Sequence, residues 1–173
     1  MEPCRVILIG MMGSGKTTIG RLLTEATGWE YVDNDELVQR HHGATAREIL
    51  AEHGRERMRE AEATALALGL GLPPPVILGV AAGTVLDEGN RERLRAGGTV
   101  VWLRATPEIL AARARGAAHR PFVETDAVEW MRRTAKEREP LYTEVASLAV
   151  DTGTGTPDEA VHRIREHLEA HGC

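Results

Sequence analysis

Residues 10–17 of the chain, Gly10-Met11-Met12-Gly13-Ser14-Gly15-Lys16-Thr17, read G-x-x-x-x-G-K-T between an apolar run, Val6-Ile7-Leu8-Ile9, and an amphipathic continuation. The chemistry that this spacing suits is the holding of phosphate. Successive backbone N–H groups converge on one concavity, and the N-terminus of the following helix adds partial positive charge behind it. Glycines keep the loop free of Cβ atoms and allow positive φ. Lys16 is then placed for the β- and γ-phosphates of a nucleotide and the Thr17 hydroxyl for Mg²⁺, with Gly13, Ser14, Gly15 and Thr18 completing the loop. Of the 21 basic residues only Lys16 and Lys136 are lysines, and a compact, rotatable ammonium suits this position better than a guanidinium fork. The plainer alternative, a strand-to-helix turn with no ligand, is weakened by the strand and helix patterns on both sides.

A second group of candidates is acidic and guanidinium chemistry. Asp33-Asn34-Asp35 closes a short strand pattern, 29–32, and so puts two carboxylates at the carboxyl edge of a strand, where open α/β sheets bind ligands. The same aspartates could instead cap a following helix. Arg59 and Glu62 are three apart and share a helix face. Arg120 falls in an aperiodic stretch, and Arg138 precedes Pro140. A guanidinium fork matches the two oxygens of a carboxylate, whereas a solvated charged face or a complement to a helix C-terminus would use the same residues structurally.

These groups need rigid elements to hold them, and the periodicity supplies alternating ones. Helices are expected at 16–27, ended by Gly28; from a Thr45/Glu48 capping box to Gly54; at 55–68, with Met58, Ala61, Ala65 and Leu68 as the apolar stripe; at 90–96; and from a Thr106-Pro107 start to about 115. Strands are expected at 6–9, 29–32, 76–80, 99–103 and 148–151, and a terminal helix follows Thr156-Pro157. A helix marked by Val128, Met131 and Ala135 should stop before Pro140, with Leu141-Tyr142 turning the chain back. Residues 116–126 hold no periodicity and read as a mobile lid. The sum is an α/β protein, a three-layer α/β/α arrangement around a parallel sheet of about five strands, within one domain of 173 residues.

Composition narrows the partners. A net charge of −5 with Arg and Glu interleaved lacks the basic stripe of a nucleic-acid binder, and one Phe and two Tyr leave few stacking platforms. The most apolar segment, 64–86, is interrupted by Pro73-Pro74-Pro75 and several glycines, which argues against a membrane span. Cys4 and Cys173 stand at opposite ends without metal-ligand spacing, so a reducing compartment is expected rather than a disulfide scaffold, with Cys4 a core residue. With no signal peptide read before the loop, a cytoplasmic location is expected, and a monomer.

Taken together in this order, the motifs resemble those of the shikimate kinase family, a group of P-loop small-molecule kinases, from Arg5 to about Ile164. The loop at 10–17 is shared with many kinases. More specific are Asp33-x-Asp35, similar to the family's D-x-D, and Arg59-x-x-Glu62, similar to its R-x-x-E. Arg120-Pro121 is similar to the lid R-P, and Arg138-x-Pro140-Leu141-Tyr142 to the R-x-P-L-Y run.

The resemblance implies ATP-dependent phosphoryl transfer to a hydroxyl of a small carboxylated acceptor, shikimate first, with Mg²⁺ as cofactor. It implies Lys16, Asp35 and Arg120 as catalytic groups, with Asp33 joining Thr17 at the metal. Arg113 would stack on adenine; Asp35, Arg59, Glu62, Ala82, Gly83 and Arg138 would meet the acceptor. Departures fall on the acceptor side: Ala81-Ala82-Gly83 stands where the family has G-G-G, and Leu50 and Met58 replace two pocket aromatics. Added methyl groups would crowd a close approach unless φ is negative there. A kinase of the same fold acting on another hydroxy acid, polyol or amino-acid hydroxyl stays open, as does, further off, a nucleotide-dependent switch or inactive binding module.

Overall fold

The computed structural model describes residues 4–115 and 126–173. The expected lid, with Arg120 and Pro121, lies outside the described residues but for Asp126 at its end. Five strands, β1 (Arg5–Ile9), β2 (Glu30–Asp33), β3 (Val76–Gly79), β4 (Thr99–Arg104) and β5 (Leu148–Asp151), form one sheet in the order β2-β3-β1-β4-β5. Every pairing is parallel, with Ile7 opposite Leu78 on one side and Val100 on the other. Such a sheet must be covered on both faces, so β1 and β3 are continuous apolar runs with Val6, Ile7, Leu8 and Ile77 wholly buried.

The helices among the described residues are α1 (Lys16–Thr27), α2 (Asn34–His42), α3 (Ala46–Leu70), α4 (Glu88–Gly97), α5 (Pro107–Ala114), α6 (Ala127–Val145) and α7 (Pro157–Ala170), with a 3₁₀ turn at Thr84–Leu86. On one face of the sheet Ile19 and Leu23 of α1 pack with Ile164 and Leu168 of α7. On the other face α4, α5, α6 and the end of α3 enclose Leu94, Leu110, Met131 and Leu66. Beyond the β2 edge, α2 and the first part of α3 share a small core of their own, Val38, Ile49, Ala61 and Ala65. No helix among the described residues is long and apolar enough to cross a membrane.

Start and stop signals act as their chemistry predicts. Thr45/Glu48 and Thr156/Glu159 both close capping boxes, Thr106 caps α5 ahead of Pro107, and Gly28 ends α1 in the left-handed region. The two helices expected around Gly54 form one element bent there, because Gly54 sits at φ 84° and breaks the helical run.

Three expectations are corrected. Leu68 is 42% exposed, and Leu66 and Gly69 are buried in its place, Gly69 lying between Leu37 of α2 and Leu78 of β3. Helix α6 runs through Pro140 to Val145. A proline inside a helix costs about 3 kcal/mol. The turns after it bury Tyr142 and Val145 in the main core and stack Tyr142 on Trp102 with ring centroids 5.7 Å apart; at about 1.5–3 kcal/mol per buried side chain this offsets the loss. Finally, Cys4 and Cys173 are joined in a disulfide across 169 residues, with Cα atoms 5.5 Å apart. Spacing in sequence says nothing about this approach: α7 returns along α1 and delivers the last residue to the start of β1. Cys4 does pack at the edge of that core.

Candidate active site

The strand order reverses at β1: the chain passes from β1 over β3 to β2, then from β3 over β1 to β4. The crevice this opens lies at the carboxyl ends of β1 and β3, and there a cleft of about 740 Å³ gathers loop, carboxylates and guanidinium groups. The 10–15 loop leaves β1 at this point with Gly13 at φ 80° and Gly15 at φ 97°. A Cβ at Gly13 would come within 2.9 Å of the Leu110 carbonyl oxygen, so both conformation and space demand glycine. Lys16 Nζ donates to the carbonyls of Gly10 (2.9 Å) and Met11 (3.2 Å). Burial lowers its pKa to about 8, against the opposing pull of Asp33 and Asp35. Ser14 faces away from the cleft: its buried hydroxyl is unpaired, while its carbonyl accepts from Thr152 Oγ1 at 2.8 Å.

Asp33 ends β2 and caps α2, which places Asp35 in the first turn of that helix. The capping alternative and the site reading hold together, because the two oxygens are divided. Asp33 Oδ1 accepts from the Asp35 backbone N–H at 2.9 Å, and Oδ2 accepts from the Tyr31 hydroxyl at 2.7 Å. Burial, reinforced by Asp33, raises the Tyr31 pKa well above the usual phenol range, so the group is a donor.

At the far end, Arg59 and Glu62 reach the cleft from α3 and Arg138 from α6. Burial raises the Glu62 pKa to about 7, and the Asp35 charge adds to the effect; Arg138 and Arg59 oppose it. The Tyr142 hydroxyl donates to the Ala82 carbonyl at 2.8 Å, which ties α6 to the exit of β3. Ala81 and Ala82 have no positive φ, and Gly83 sits at φ −84°, so the methyl groups are accommodated without backbone strain.

The cleft thus brings together Gly13, Gly15, Lys16, Thr17, Thr18, Asp33, Asp35, Arg59, Glu62, Ala82, Gly83 and Arg138, and with them Leu50, Met58 and Ala81. Arg113 stands outside it, its guanidinium donating to the carbonyls of Thr152 (2.6 Å) and Gly13 (3.3 Å). Arg120 lies outside the described residues. Sequence reasoning missed Trp130, which lines the cleft from α6, and the hydroxyls of Tyr31 and Tyr142. Only Tyr142 had a signal, as the last residue of the R-x-P-L-Y run.

Beside the loop stand oxygen donors, the Thr17 hydroxyl and the Asp33 carboxylate. Among the described residues no three His, Cys, Asp or Glu gather closely enough to hold a metal by themselves. That set fits Mg²⁺, a hard cation that keeps several waters and takes further ligands from phosphates, and does not fit a soft metal.

A family model described as shikimate kinase matches residues 12–169. A shikimate kinase of Symbiobacterium thermophilum is 39% identical over 172 residues, covering 96% of this chain and 97% of its own. The structure of a shikimate kinase from Acinetobacter baumannii in complex with shikimate superposes with a TM-score of 0.91 at 30% identity, over 98% of this chain and 95% of that one. One from Bacteroides thetaiotaomicron does so at 0.86 and 25%, over 96% and 99%. The family model and these relatives match along nearly the whole of the chain, and the chain belongs to the shikimate kinase family.

Proposed function

We propose that the chain acts as one kinase domain that transfers the γ-phosphoryl group of ATP to a hydroxyl of shikimate, giving shikimate 3-phosphate. The observation that carries this is the cleft itself, whose walls bring Lys16, Asp35, Arg59 and Arg138 together. The shikimate held by the Acinetobacter relative supports the acceptor's identity. Phosphoryl transfer asks mainly for positioning and charge neutralisation. Gly13, Gly15 and Thr18 hold the phosphates through the loop, Ser14 braces it from behind, and Arg113 flanks the base.

Arg59 and Arg138 bind the acceptor carboxylate, since two guanidinium groups beside a neutral polyol would lack a partner. Glu62, Ala82 and Gly83 complete that wall. Asp35 orients the attacking hydroxyl and takes its proton as the oxygen bonds to Pγ and the bond from Pγ to the bridging oxygen breaks, releasing ADP. Lys16 and Arg120 balance charge on the equatorial oxygens. Thr17 and Asp33 would hold Mg²⁺, which supplies charge neutralisation between the β- and γ-phosphates when bound. ATP as co-substrate suits a cytoplasmic enzyme, and the −5 net charge suits a monomer with no nucleic-acid or membrane partner.

A second reading, a different hydroxy acid as acceptor, is favoured only by the walls at Leu50, Met58, Ala81, Ala82 and Trp130. An ATP-consumption screen with purified protein against shikimate, quinate, gluconate, serine, threonine and nucleoside monophosphates decides between them. Shikimate should reach a kcat/KM above ~10⁴ M⁻¹s⁻¹ and lead the set. A value far below that floor, with quinate or gluconate ahead, would overturn the shikimate assignment.

A further inference from the structure

Tyr31 is the one aromatic residue of β2, and the space it occupies is cut by two glycines. A Cβ on Gly20, in the interior of α1, would run into the Tyr31 ring, and one on Gly79, at the end of β3, into its hydroxyl end. Glycine inside a helix costs about 1 kcal/mol relative to alanine, a cost that the slot for this ring explains. The slot delivers the phenol oxygen to a defined place. From there it donates to Asp33 Oδ2 at 2.7 Å.

With Oδ2 committed to Tyr31 and Oδ1 to the Asp35 N–H, the Asp33 carboxylate is fixed in orientation. Groups that hold metal ligands in place from behind typically change metal affinity by about 10- to 100-fold when removed.

We propose that Tyr31 is a positioning residue for the magnesium-nucleotide complex, its hydroxyl fixing the Asp33 carboxylate in orientation while its ring serves as packing. This rests on the reading of Thr17 and Asp33 as the metal-holding groups. Tyr31→Phe separates the two functions, because it keeps the ring in its slot and removes only the hydroxyl.

The test is calorimetric binding of ADP to the full chain over a magnesium titration and in EDTA, for wild type, Tyr31→Phe, Asp33→Asn and the double variant, with a thermal melt of each. Tyr31→Phe should raise the magnesium concentration needed for half-maximal enhancement of ADP binding by about 10-fold or more, leave ADP affinity in EDTA unchanged, and keep the melting temperature within about 2 °C of wild type. Added to Asp33→Asn it should have no further effect, since the two act as a unit. An unchanged magnesium requirement in Tyr31→Phe, with wild type magnesium-dependent, overturns this proposal alone, as does an equal loss of affinity with and without the metal. A wild type indifferent to magnesium overturns the metal reading and this proposal with it.

Discussion

The two ends of the cleft are built to different standards. The nucleotide end hangs from β1 and α1, between the two main cores, with Ile7, Leu8, Ile9, Ile19 and Leu23 almost wholly buried and a loop whose φ angles admit only glycine at Gly13 and Gly15. The acceptor end is mixed: Arg138 comes from α6 in the main core, but Arg59 and Glu62 come from α3, which with α2 stands past the edge of the sheet on a core of Val38, Ile49, Ala61 and Ala65. Helix α3 is broken at Gly54, and Arg47, Arg55 and Arg59 are exposed. A part held by few buried contacts opens at lower free energy than one held by many. We expect the first end to be pre-formed and the α2–α3 part of the second to adjust more readily around a substrate.

The comparison can be broken most severely at Lys16. Lys16→Ala should lower kcat by at least ~10²-fold, about 3 kcal/mol of barrier, with an unchanged circular dichroism spectrum, because backbone and not side chain builds the loop. Turnover within a few-fold of wild type would remove the charge-stabilising role from this end.

Asp35→Asn comes next. It should cut kcat by about 10²-fold and leave ADP affinity near wild type, since Asp35 belongs to the acceptor side. If single-turnover and binding data show the reverse, turnover kept and nucleotide affinity lost, then Asp35 sits with the metal and its role exchanges with that of Asp33.

How far each end could be read in advance follows the same division. Gly13, Gly15 and Lys16 were legible because a phosphate loop is a local backbone device whose requirements are written at fixed spacing. So were the five strands, the Thr45 and Thr156 capping boxes and the Asp33-x-Asp35 pair at a strand end. Tyr31 was not, since the slot that places its ring is cut by Gly20 and Gly79 on other elements. Nor was Trp130, because only the packing of α6 beside the cleft brings it there. The bond from Tyr142 to the Ala82 carbonyl depends on α6 continuing past Pro140, where burial of Tyr142 and Val145 overrode a local stop signal. The Cys4–Cys173 disulfide was hidden for the same reason: only the return of α7 along α1 brings the two ends of the chain together.

A smaller effect sharpens the electrostatic half of the contrast. With burial holding Lys16 to about 8, the free enzyme loses this cation as pH rises through that value, whereas bound phosphates would favour keeping it. ADP affinity should accordingly be flat below about pH 7.5 and fall toward tenfold per pH unit above 8, with net proton uptake on binding near pH 8 by calorimetry in two buffers. Affinity constant to pH 9.5 would show that the lysine is not coupled to the nucleotide.

The account turns on whether the acceptor end recognises a carboxylate through Arg59 and Arg138, and the most direct measurement is kcat/KM for shikimate against its methyl ester, in wild type and in Arg138→Leu. Charge-assisted hydrogen bonds to a carboxylate are worth about 1.5–3 kcal/mol each, so wild type should prefer the acid by ~10²-fold, and Arg138→Leu should erase most of that preference chiefly through KM. An ester turned over as well as the acid, or a preference undiminished in Arg138→Leu, would contradict it.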